Sequence, residues 1–263
     1  MFNKILKLYR FIFARKMFYK LNKALYQMSL RGLGVLNYES NKVSGESFLL
    51  KNLELGGGNK RAIIFDVGAN IGNYSKEVLS LSSNLSVFAF EPHPLNYKKL
   101  LNNINYDNLH CFNVGVGDSN GEMSLYDYAD NDGSSHASLY QEVIEEIHHG
   151  KSVEHKVKII KLSDFVKEHG IDYIDLLKID TEGNEMQILL GLKDFIAEGK
   201  VGAIHFEFNE MNVISRVFFK DYFDLLTNYD FYRLLPNSML PIKRYTPIEC
   251  EIFAYQNIVA IKK

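Results

Sequence analysis

The chain has 263 residues, of which 46% are hydrophobic and 24% are charged. This length suits one large α/β domain with additions or two small domains, and the composition is that of a globular protein. Two cysteines argue against a disulfide scaffold, and no C-x-x-C or H-E-x-x-H pattern indicates a zinc site.

The formal charge is unevenly distributed along the chain. Residues 1–38 contain eight lysines and arginines and no acid, a charge of +8. Because the whole chain carries −2, residues 39–263 carry −10. A basic arm on an acidic body favours an anionic surface or partner for the arm and argues against nucleic acid as the partner of the body.

Residues 1–30 have apolar side chains at helical spacing and neither proline nor glycine, which predicts one or two amphipathic helices. Basic residues are too frequent for a membrane span, and no uninterrupted apolar core marks a signal peptide. Two expectations stay open for this arm. It makes peripheral contact with an anionic membrane at the cytoplasmic face, or it packs on the body or on a second subunit of a homo-oligomer.

The segment between the arm and the first core strand predicts no regular core element. Residues 38–55 are expected to be irregular or short-stranded, and Gly56–Asn59 form a hinge-like turn. We therefore divide the chain into a helical extension, residues 1–59, and a main domain, residues 60–263.

A buried strand is predicted over Ala62–Phe65, followed by a glycine turn and a helix over Tyr74–Leu81. The turn contains Asp66, Gly68, Asn70 and Gly72. Such a corner binds ligands in open α/β sheets. The spacing is not the dinucleotide fingerprint G-x-G-x-x-G, and Asp66 would repel a pyrophosphate, so the cationic S-adenosylmethionine fits better. The alternative is a structural glycine turn in some other α/β protein.

The second strand, Ser86–Phe90, ends in an acid. Glu91 follows Gly72 by 19 residues, and Pro92 stops the strand. An acid at this position accepts hydrogen bonds from the two ribose hydroxyls of a nucleoside cofactor. The alternative is an ordinary exposed loop acid.

Further strands and helices alternate through the rest of the main domain, which predicts a mainly parallel sheet with helices on both faces. Acids stand at or near the ends of five predicted strands, where such sheets bind ligands; they are Asp66, Glu91, Asp118, Asp180 and Glu207. The remaining predicted strands are 109–116, 122–128, 157–162, 174–179, 201–208, 231–234 and 257–261, and the remaining helices 95–104, 140–149, 163–170, 184–198 and 217–228.

Several blocks together resemble the FkbM-like family of S-adenosylmethionine-dependent methyltransferases. The blocks are Phe65-Asp-Val-Gly-Ala-Asn-Ile-Gly72, Phe90-Glu-Pro92, Asn113-Val-Gly-Val-Gly-Asp118, Lys161-Leu-Ser-Asp-Phe165 and Leu176-Leu-Lys-Ile-Asp-Thr-Glu-Gly-Asn-Glu185. The last block is the most family-specific, and the resemblance covers about residues 60–261. It implies a Rossmann-like class I methyltransferase fold with a mainly parallel seven-stranded sheet. It also implies O-methylation of a sugar hydroxyl in surface-glycan biosynthesis.

Within that resemblance, the glycine turn is expected to hold the methionine part of the cofactor. Asp66 would act there through backbone and water, Gly68 would give close approach, and Asn70 would hold the carboxylate or amine. Glu91 is assigned to the ribose. Asp118, with the Gly117 backbone, is placed to contact the adenine amino group, although a plain turn-forming role explains Asp118 equally well.

The segment Lys178–Glu185 is the best candidate for chemistry. An alcohol is a poor methyl acceptor until its proton begins to leave, and a positioned base contributes roughly 10²–10⁴-fold. Asp180 is our first choice for the base or for a ligand of a divalent metal, with Glu182 orienting it or lining the pocket. For Glu185, charge pairing at a helix N-terminus is a sufficient explanation.

A second polar segment follows the strand that contains His205. His205, Glu207 and Asn209 would face one way by alternation, and Glu207 could join Asp180 around an acceptor hydroxyl or a metal. A purely structural role for His205 is the alternative. The polar loop 130–138, with His136, is expected to shape acceptor specificity as a lid.

Two other functions remain open on the sequence alone. One is an NAD-dependent nucleotide-sugar dehydrogenase or epimerase, against which the missing fingerprint weighs. The other is a non-catalytic membrane-associated binding module, against which the strand-end acids weigh.

Overall fold

The computed structural model describes residues 1–53, 55 and 61–263. The predicted hinge at Gly56–Asn59 and the boundary between extension and main domain lie outside these residues. The strands are β1 (Ala62–Val67), β2 (Leu85–Phe90), β3 (Leu109–Phe112), β4 (Gly115–Gly117), β5 (Gly121–Tyr128), β6 (Ser152–Lys161), β7 (Ile174–Ile179), β8 (Val201–Glu207), β9 (Tyr229–Leu235), β10 (Ser238–Ile242) and β11 (Asn257–Lys262).

The helices begin with the arm and then alternate with the strands. They are α1 (Phe2–Phe13), α2 (Tyr19–Gly32), α3 (Asn41–Ser44), α4 (Glu46–Asn52), α5 (Asn73–Leu81), α6 (Pro94–Asn103), α7 (Leu162–Glu168), α8 (Glu185–Gly191), α9 (Lys193–Ala197), α10 (Met211–Ser215), α11 (Phe219–Leu225) and α12 (Pro247–Cys250). A short 3₁₀ helix, Lys16–Phe18, joins α1 to α2, and Val143–Ile147 form a π-helical turn.

The described strands build one large sheet and one small sheet. The large sheet has the order β10-β9-β11-β8-β7-β1-β2-β3, in which the five strands from β8 to β3 are parallel and β11 runs antiparallel to both its neighbours. The small sheet has the order β4-β6-β5. The α/β class and the mainly parallel sheet are therefore confirmed.

The residues of β1 show why helices cover both faces of the large sheet. Phe65 and Val67 join a core cluster with residues of α7, α8 and α11, whereas Ile64 joins a second cluster with residues of α5 and α6. Successive strand residues point to opposite faces, and both faces are apolar, so both need a helical layer.

The predicted count of seven strands is wrong by one. The additional strand is β10, which pairs with β9 as a hairpin at the edge of the sheet. It contains Pro241, which a strand tolerates at an edge because that residue donates no ladder hydrogen bond.

The predicted strand 109–116 is in fact two strands in two sheets. Between them, the Asn113 amide donates to the carbonyls of Glu91 (2.8 Å) and Pro92 (3.0 Å), which fixes a break after Phe112. Beyond the break, β4 pairs with β6 in the small sheet. Residues 115–118 consequently leave the edge at which β1, β2 and β3 end.

Three other local predictions need correction. The lead-in over residues 38–55 contains the short helices α3 and α4 rather than strands. The helix expected over 140–149 is a single π-helical turn, and the one expected over 184–198 is divided at Leu192 into α8 and α9. In each case the apolar periodicity was real, but short windows do not distinguish helix from strand or locate a break.

The arm consists of two helices, and its apolar side chains are largely uncovered. No residue of α1 is buried, and Leu30 is the buried residue of α2. None of the helices in the described residues combines the length and apolar character that crossing a bilayer requires.

Candidate active site

Gly68 brings the turn after β1 against the turn after β7. Its φ is +79°, and a Cβ at this position would lie 1.7 Å from the carbonyl oxygen of Asp180. No other residue fits without moving one of the two backbones. The glycine thus has the close-approach role expected of it, toward the backbone that carries the candidate base.

Asp66 and Gly72, in contrast, lie beneath the site rather than in it. The buried Asp66 carboxylate accepts a hydrogen bond from Ser75 Oγ (2.6 Å) and lies 3.4 Å from Lys178 Nζ. Gly72, at φ +88°, caps α5 and packs on Leu100. Neither lines a cavity, so the Asp66 charge does not face a ligand.

Lys178 connects Asp66 to Asp180. The buried ammonium lies 3.4 Å from Asp66 Oδ1 and 3.2 Å from Asp180 Oδ2. Burial alone would lower the pKa of Lys178, but the two carboxylates raise it above its ordinary value, so the lysine stays charged. The ion-pair chain holds the Asp180 side chain at the end of β7.

Glu91 has the position predicted for a ribose acceptor. Its carboxylate accepts hydrogen bonds from the backbone N–H groups of Asn70 (2.7 Å) and His93 (2.8 Å). Burial raises the pKa of Glu91 to about 7, although both amides act in the opposite direction. Each carboxylate oxygen keeps a lone pair for a further donor.

A first cavity lies between the ends of β1 and β2. Its lining includes Gly68, Glu91, Phe90 and Val116, and the residues that cover it include Ser135 and Ala137. Apolar walls beside one carboxylate fit a nucleoside, with the base on the apolar walls and the ribose diol at Glu91. The volume is about 110 Å³. Pockets for drug-sized ligands typically have roughly 300–1,000 Å³, so the volume of this cavity is smaller than that of a typical ligand pocket.

The adenine contact predicted for Gly117 and Asp118 does not match the geometry. Neither residue lines the cavity; the neighbouring Val116 and Asn184 do. The Asp118 side chain is exposed and accepts a hydrogen bond from Ser119, as a turn residue would. Of β4, Gly115 and Val116 line the cavity, whereas Gly117 and the exposed turn residue that follows it do not.

A second, larger cavity of about 530 Å³ adjoins the first. Five residues line both cavities and mark their junction; they are Gly68, Asn70, Ser135, Asp180 and Glu182. Two of them, Asn70 (φ +50°) and Glu182 (φ +54°), are non-glycine residues in the left-handed region. Strained backbone of this kind concentrates at functional sites.

The second cavity is rich in acids. Burial raises the pKa of Glu207 well above its usual range, and the nearby Asp180 and Glu182 raise it further. Burial also raises the pKa of Glu182, whose Oε1 lies 3.1 Å from His136 Nδ1. That hydrogen bond raises the pKa of His136. The four predicted catalytic residues, Asp180, Glu182, Glu207 and His136, therefore line one cavity.

His205 and Glu207 differ in environment despite their shared side of β8. The His205 ring is buried between Asn257 Oδ1 (2.9 Å) and the Tyr74 hydroxyl (3.5 Å), and burial lowers its pKa to about 4. It does not line either cavity, which supports the structural alternative. Glu207 and Asn209 do line the second cavity.

Glu185 is buried and serves the turn before α8. Its Oε1 accepts hydrogen bonds from the backbone of Thr181 (3.0 Å) and Gly183 (3.2 Å). Burial raises its pKa to about 7. The carboxylate thus satisfies the N–H groups of the turn that presents Glu182.

Among the residues that line the second cavity, four with polar or aromatic side chains were not identified as candidates from the sequence. Tyr38 and Glu46 reach it from the extension, Tyr255 from the C-terminal segment, and His148 from the π-helical turn. Burial raises the pKa of Glu46 to about 7. The His148 ring lies beside that of His136, with ring centroids 4.9 Å apart. No local motif marks these positions, because their contacts are distant in sequence.

Among the described residues, one group has three potential metal-ligand atoms within 4.8 Å of one another: His93, Asp132 and His155. Both histidine Nε2 atoms lie within 2.9 Å of Asp132 Oδ1. His93 Nδ1 accepts the backbone N–H of Leu95 (3.2 Å), so the proton of the neutral ring is on Nε2. That nitrogen donates to Asp132 and is not free for a metal. The acids of the second cavity form no such group in the described part of the chain.

Comparisons with known proteins agree with this geometry. The profile of the "Methyltransferase FkbM domain" matches residues 66–232. The chain is 25% identical over 193 residues to the 2-O-methyltransferase NoeI of Sinorhizobium fredii, covering 67% of this chain and 76% of that protein. It is 28% identical to the methyltransferase sdnD of Sordaria araneosa over 50% of this chain and 60% of the relative.

Two further likenesses are partial or distant. The AMB antimetabolite synthetase AmbE of Pseudomonas aeruginosa is 30% identical over 51% of this chain, which spans only 8% of that protein. A solved precorrin-6y C5,15-methyltransferase from Geobacter metallireducens superposes with a TM-score of 0.45 at 12% identity, covering 82% of this chain and 87% of that one. At that distance a structure says nothing about substrate. The domain match covers more than half of the chain, and the chain belongs to the FkbM family of S-adenosylmethionine-dependent methyltransferases.

Proposed function

We propose that the protein transfers a methyl group from S-adenosylmethionine to a sugar hydroxyl during surface-glycan biosynthesis. The observation that carries the proposal is the junction of two cavities. One has the residues that suit a nucleoside, the other is open and polar, and Asp180 and Glu182 line both. A group transfer between two ligands requires such a junction.

The cofactor supplies an electrophilic methyl group on a sulfonium. The acceptor oxygen forms the new bond to that carbon, the carbon–sulfur bond breaks with its electron pair staying on sulfur, and the hydroxyl proton has to leave. Asp180 is positioned to accept this proton, because Lys178 holds its carboxylate at the junction. The Glu182–His136 pair then offers a route for the proton away from Asp180.

The second cavity supports a neutral polyhydroxyl acceptor. Its acids can accept hydrogen bonds from sugar hydroxyls, and the rings of Tyr38 and Tyr255, in edge contact at 6.0 Å, offer apolar surface to a sugar ring. An anionic group in the same place would meet Glu46, Glu182 and Glu207 at short range. The printed name of NoeI, a 2-O-methyltransferase, is consistent with transfer to oxygen.

The proposal places methylation at the cytoplasmic face of a membrane, where residues 1–30 make peripheral contact near lipid-linked glycan intermediates. A homo-oligomer is compatible with this placement. The net negative charge of residues 39–263 argues against nucleic acid as the acceptor.

Cofactor identity and chemistry can be tested separately. Calorimetry of the full-length protein should show binding of S-adenosylmethionine and not of NAD. Mass spectrometry of host surface glycans, with and without the protein, should show one additional methylene group per modified sugar. Adding EDTA to the methyl-transfer assay tests the expected divalent metal. Binding of NAD without binding of S-adenosylmethionine would contradict the proposed methyltransferase. An unchanged glycan mass would contradict the proposal that a glycan is the acceptor.

A further inference from the structure

The arm presents an apolar face that the described part of the chain leaves uncovered. Seven large apolar residues of α1 are more than one-third exposed, and those along one side include Phe2 (70%), Ile5 (56%) and Tyr9 (41%). On α2, Leu21, Tyr26 and Met28 are exposed as well. Within the described residues, the apolar side of α1 is therefore not covered by the main domain.

The opposite side of α1 is cationic. Lys4, Lys7 and Arg10 are three residues apart and share one side of the helix, and residues 1–38 contain no acid. Pairing the apolar sides of two arms would leave both cationic sides facing outward without a partner. A bilayer with anionic lipids offers an apolar interior and a negative surface at once, and so complements both sides of the helix.

An apolar groove continues the same surface. It runs between α2 and the β10–α12 region, has a volume of about 880 Å³, and is lined by Tyr26, Leu30 and Leu33 on one side. Leu240, Ile242 and Ile248 lie on the other side, and the Ile248 side chain is 89% exposed. A groove of this shape and polarity suits a single hydrocarbon chain.

The base of the groove holds a buried cation. Arg233 is 4% exposed and donates to Gln256 Oε1 (2.7 Å) and to the carbonyl of Glu249 (3.0 Å). Within the described residues, no carboxylate oxygen lies within 4 Å of its guanidinium, whose charge is therefore not neutralised by an ion pair. Lys243 and Arg244 are exposed on the rim. The carboxylates of Glu249 and Glu251 also line the groove, but Glu251 is engaged by Tyr245 (2.8 Å) and by two backbone N–H groups.

We propose that α1, α2 and this groove form one docking surface for an anionic bilayer, and that the groove takes the chain of one anionic lipid, with its phosphate toward the basic side chains. Peripheral contact, as part of the proposed function, involves only the arm. The inference adds a built lipid site on the main domain. It rests on the proposed function only for the placement at the membrane, and its test needs no methyl transfer.

Flotation of the full-length protein tests the surface. Vesicles of phosphatidylcholine with phosphatidylglycerol should carry the protein upward at low salt, and vesicles of phosphatidylcholine alone should not. The triple variant K4Q/K7Q/R10Q should lower the vesicle partition coefficient on the order of 100-fold, because each cation near an anionic surface contributes a factor of about five. The matched control is K76Q/K98Q/K158Q, which removes three exposed lysines of the main domain and should leave partitioning unchanged.

Titration with a monomeric single-chain lipid tests the groove. Lysophosphatidylglycerol should bind, inorganic phosphate should bind far more weakly, and I248E should weaken lysophosphatidylglycerol binding roughly 10-fold through lost apolar contact. M123E, at an exposed position on β5, is the control. Because Ile248 and Met123 are both exposed, neither substitution is expected to disturb folding.

Several outcomes would overturn the inference. Full-length protein that stays at the bottom with anionic vesicles removes the bilayer as partner. A dimer in light scattering that I5S/L8S dissociates would assign the face to a second copy. Equal binding of lysophosphatidylglycerol to wild type and I248E would remove the groove. None of these outcomes affects the cofactor-binding test of the proposed function.

Discussion

The two cavities of the candidate active site are adjacent but built from different kinds of parts. All the residues that line the first cavity lie within the matched residues 66–232. The second takes Tyr38 and Glu46 from before that region and Tyr255 from after it. Under the proposed function, cofactor binding would therefore depend on the matched domain, and acceptor binding would also depend on segments outside it.

The largest expected effect tests the junction of the two cavities. Asp180→Asn keeps the size of the side chain but removes the proton acceptor, so turnover should fall at least about 100-fold. S-adenosylmethionine affinity should change little, because Glu91 and Gly68 remain. A methyl-transfer assay measures turnover, and calorimetry on the same preparation measures the affinity for S-adenosylmethionine. Near-normal turnover in Asp180→Asn would move the base to Glu207 or His136.

The next effect should be confined to the first cavity. Glu91→Gln replaces one acceptor oxygen by a donor that faces a backbone N–H, so the Kd for S-adenosylmethionine should rise roughly 10- to 100-fold. The acceptor KM should stay within a factor of two. Asp118→Asn is the matched control, since Asp118 is exposed and outside the cavity. An equal loss in Asp118→Asn would restore the adenine role that the geometry argues against.

A third change should be confined to the second cavity. Glu46→Gln should raise the acceptor KM about 10-fold, the scale of one lost charged hydrogen bond, and leave the Kd for S-adenosylmethionine unchanged. Glu146→Gln, at an exposed position, is the control. Should Glu46→Gln instead weaken the cofactor and spare the acceptor, the division between the two cavities would be wrong.

The smallest expected effect is a shift in the pH dependence of kcat/KM. Burial raises the pKa of Glu182 and of Glu207, so these groups take up protons at a higher pH than exposed carboxyls do. The deprotonated forms accept hydrogen bonds from hydroxyls, so kcat/KM should rise with pH through that range and stay high above it. Glu182→Gln removes a like charge that raises the Glu207 pKa, which should move the acid limb to lower pH. An acid limb that moves to higher pH, or does not move, would contradict this assignment.

The sequence predicted the first cavity better than the second for a physical reason. Gly68, Asn70 and Glu91 belong to short strand–turn–helix units, whose geometry depends on near neighbours and is visible as a local pattern. Glu46 and Tyr255 meet Glu207 only after the whole sheet has formed, so no local pattern reports them. The same reason explains why the strand over 109–116 was expected to be continuous, since the Asn113 hydrogen bonds that break it depend on the end of β2.

The arm shows the opposite relation between sequence and structure. Its helices were predicted from periodicity alone, because an isolated amphipathic helix needs no distant contact to produce the pattern. What the sequence left open was the partner of its apolar face, and within the described part of the chain no residue of α1 is buried.

The loop 134–138 contributes to the walls of both cavities, and hydrogen bonds hold it on either side of residues 135–137. The Ser134 carbonyl accepts the side-chain amides of Asn70 (3.0 Å) and Asn96 (2.8 Å). Ser138 pairs with the backbone of Tyr126 in both directions. Between these fixed points, Ser135–Ala137 face the two cavities together. A substitution at Ser135 therefore changes the walls of both cavities at once, so its effects on the two ligands are not expected to be separable.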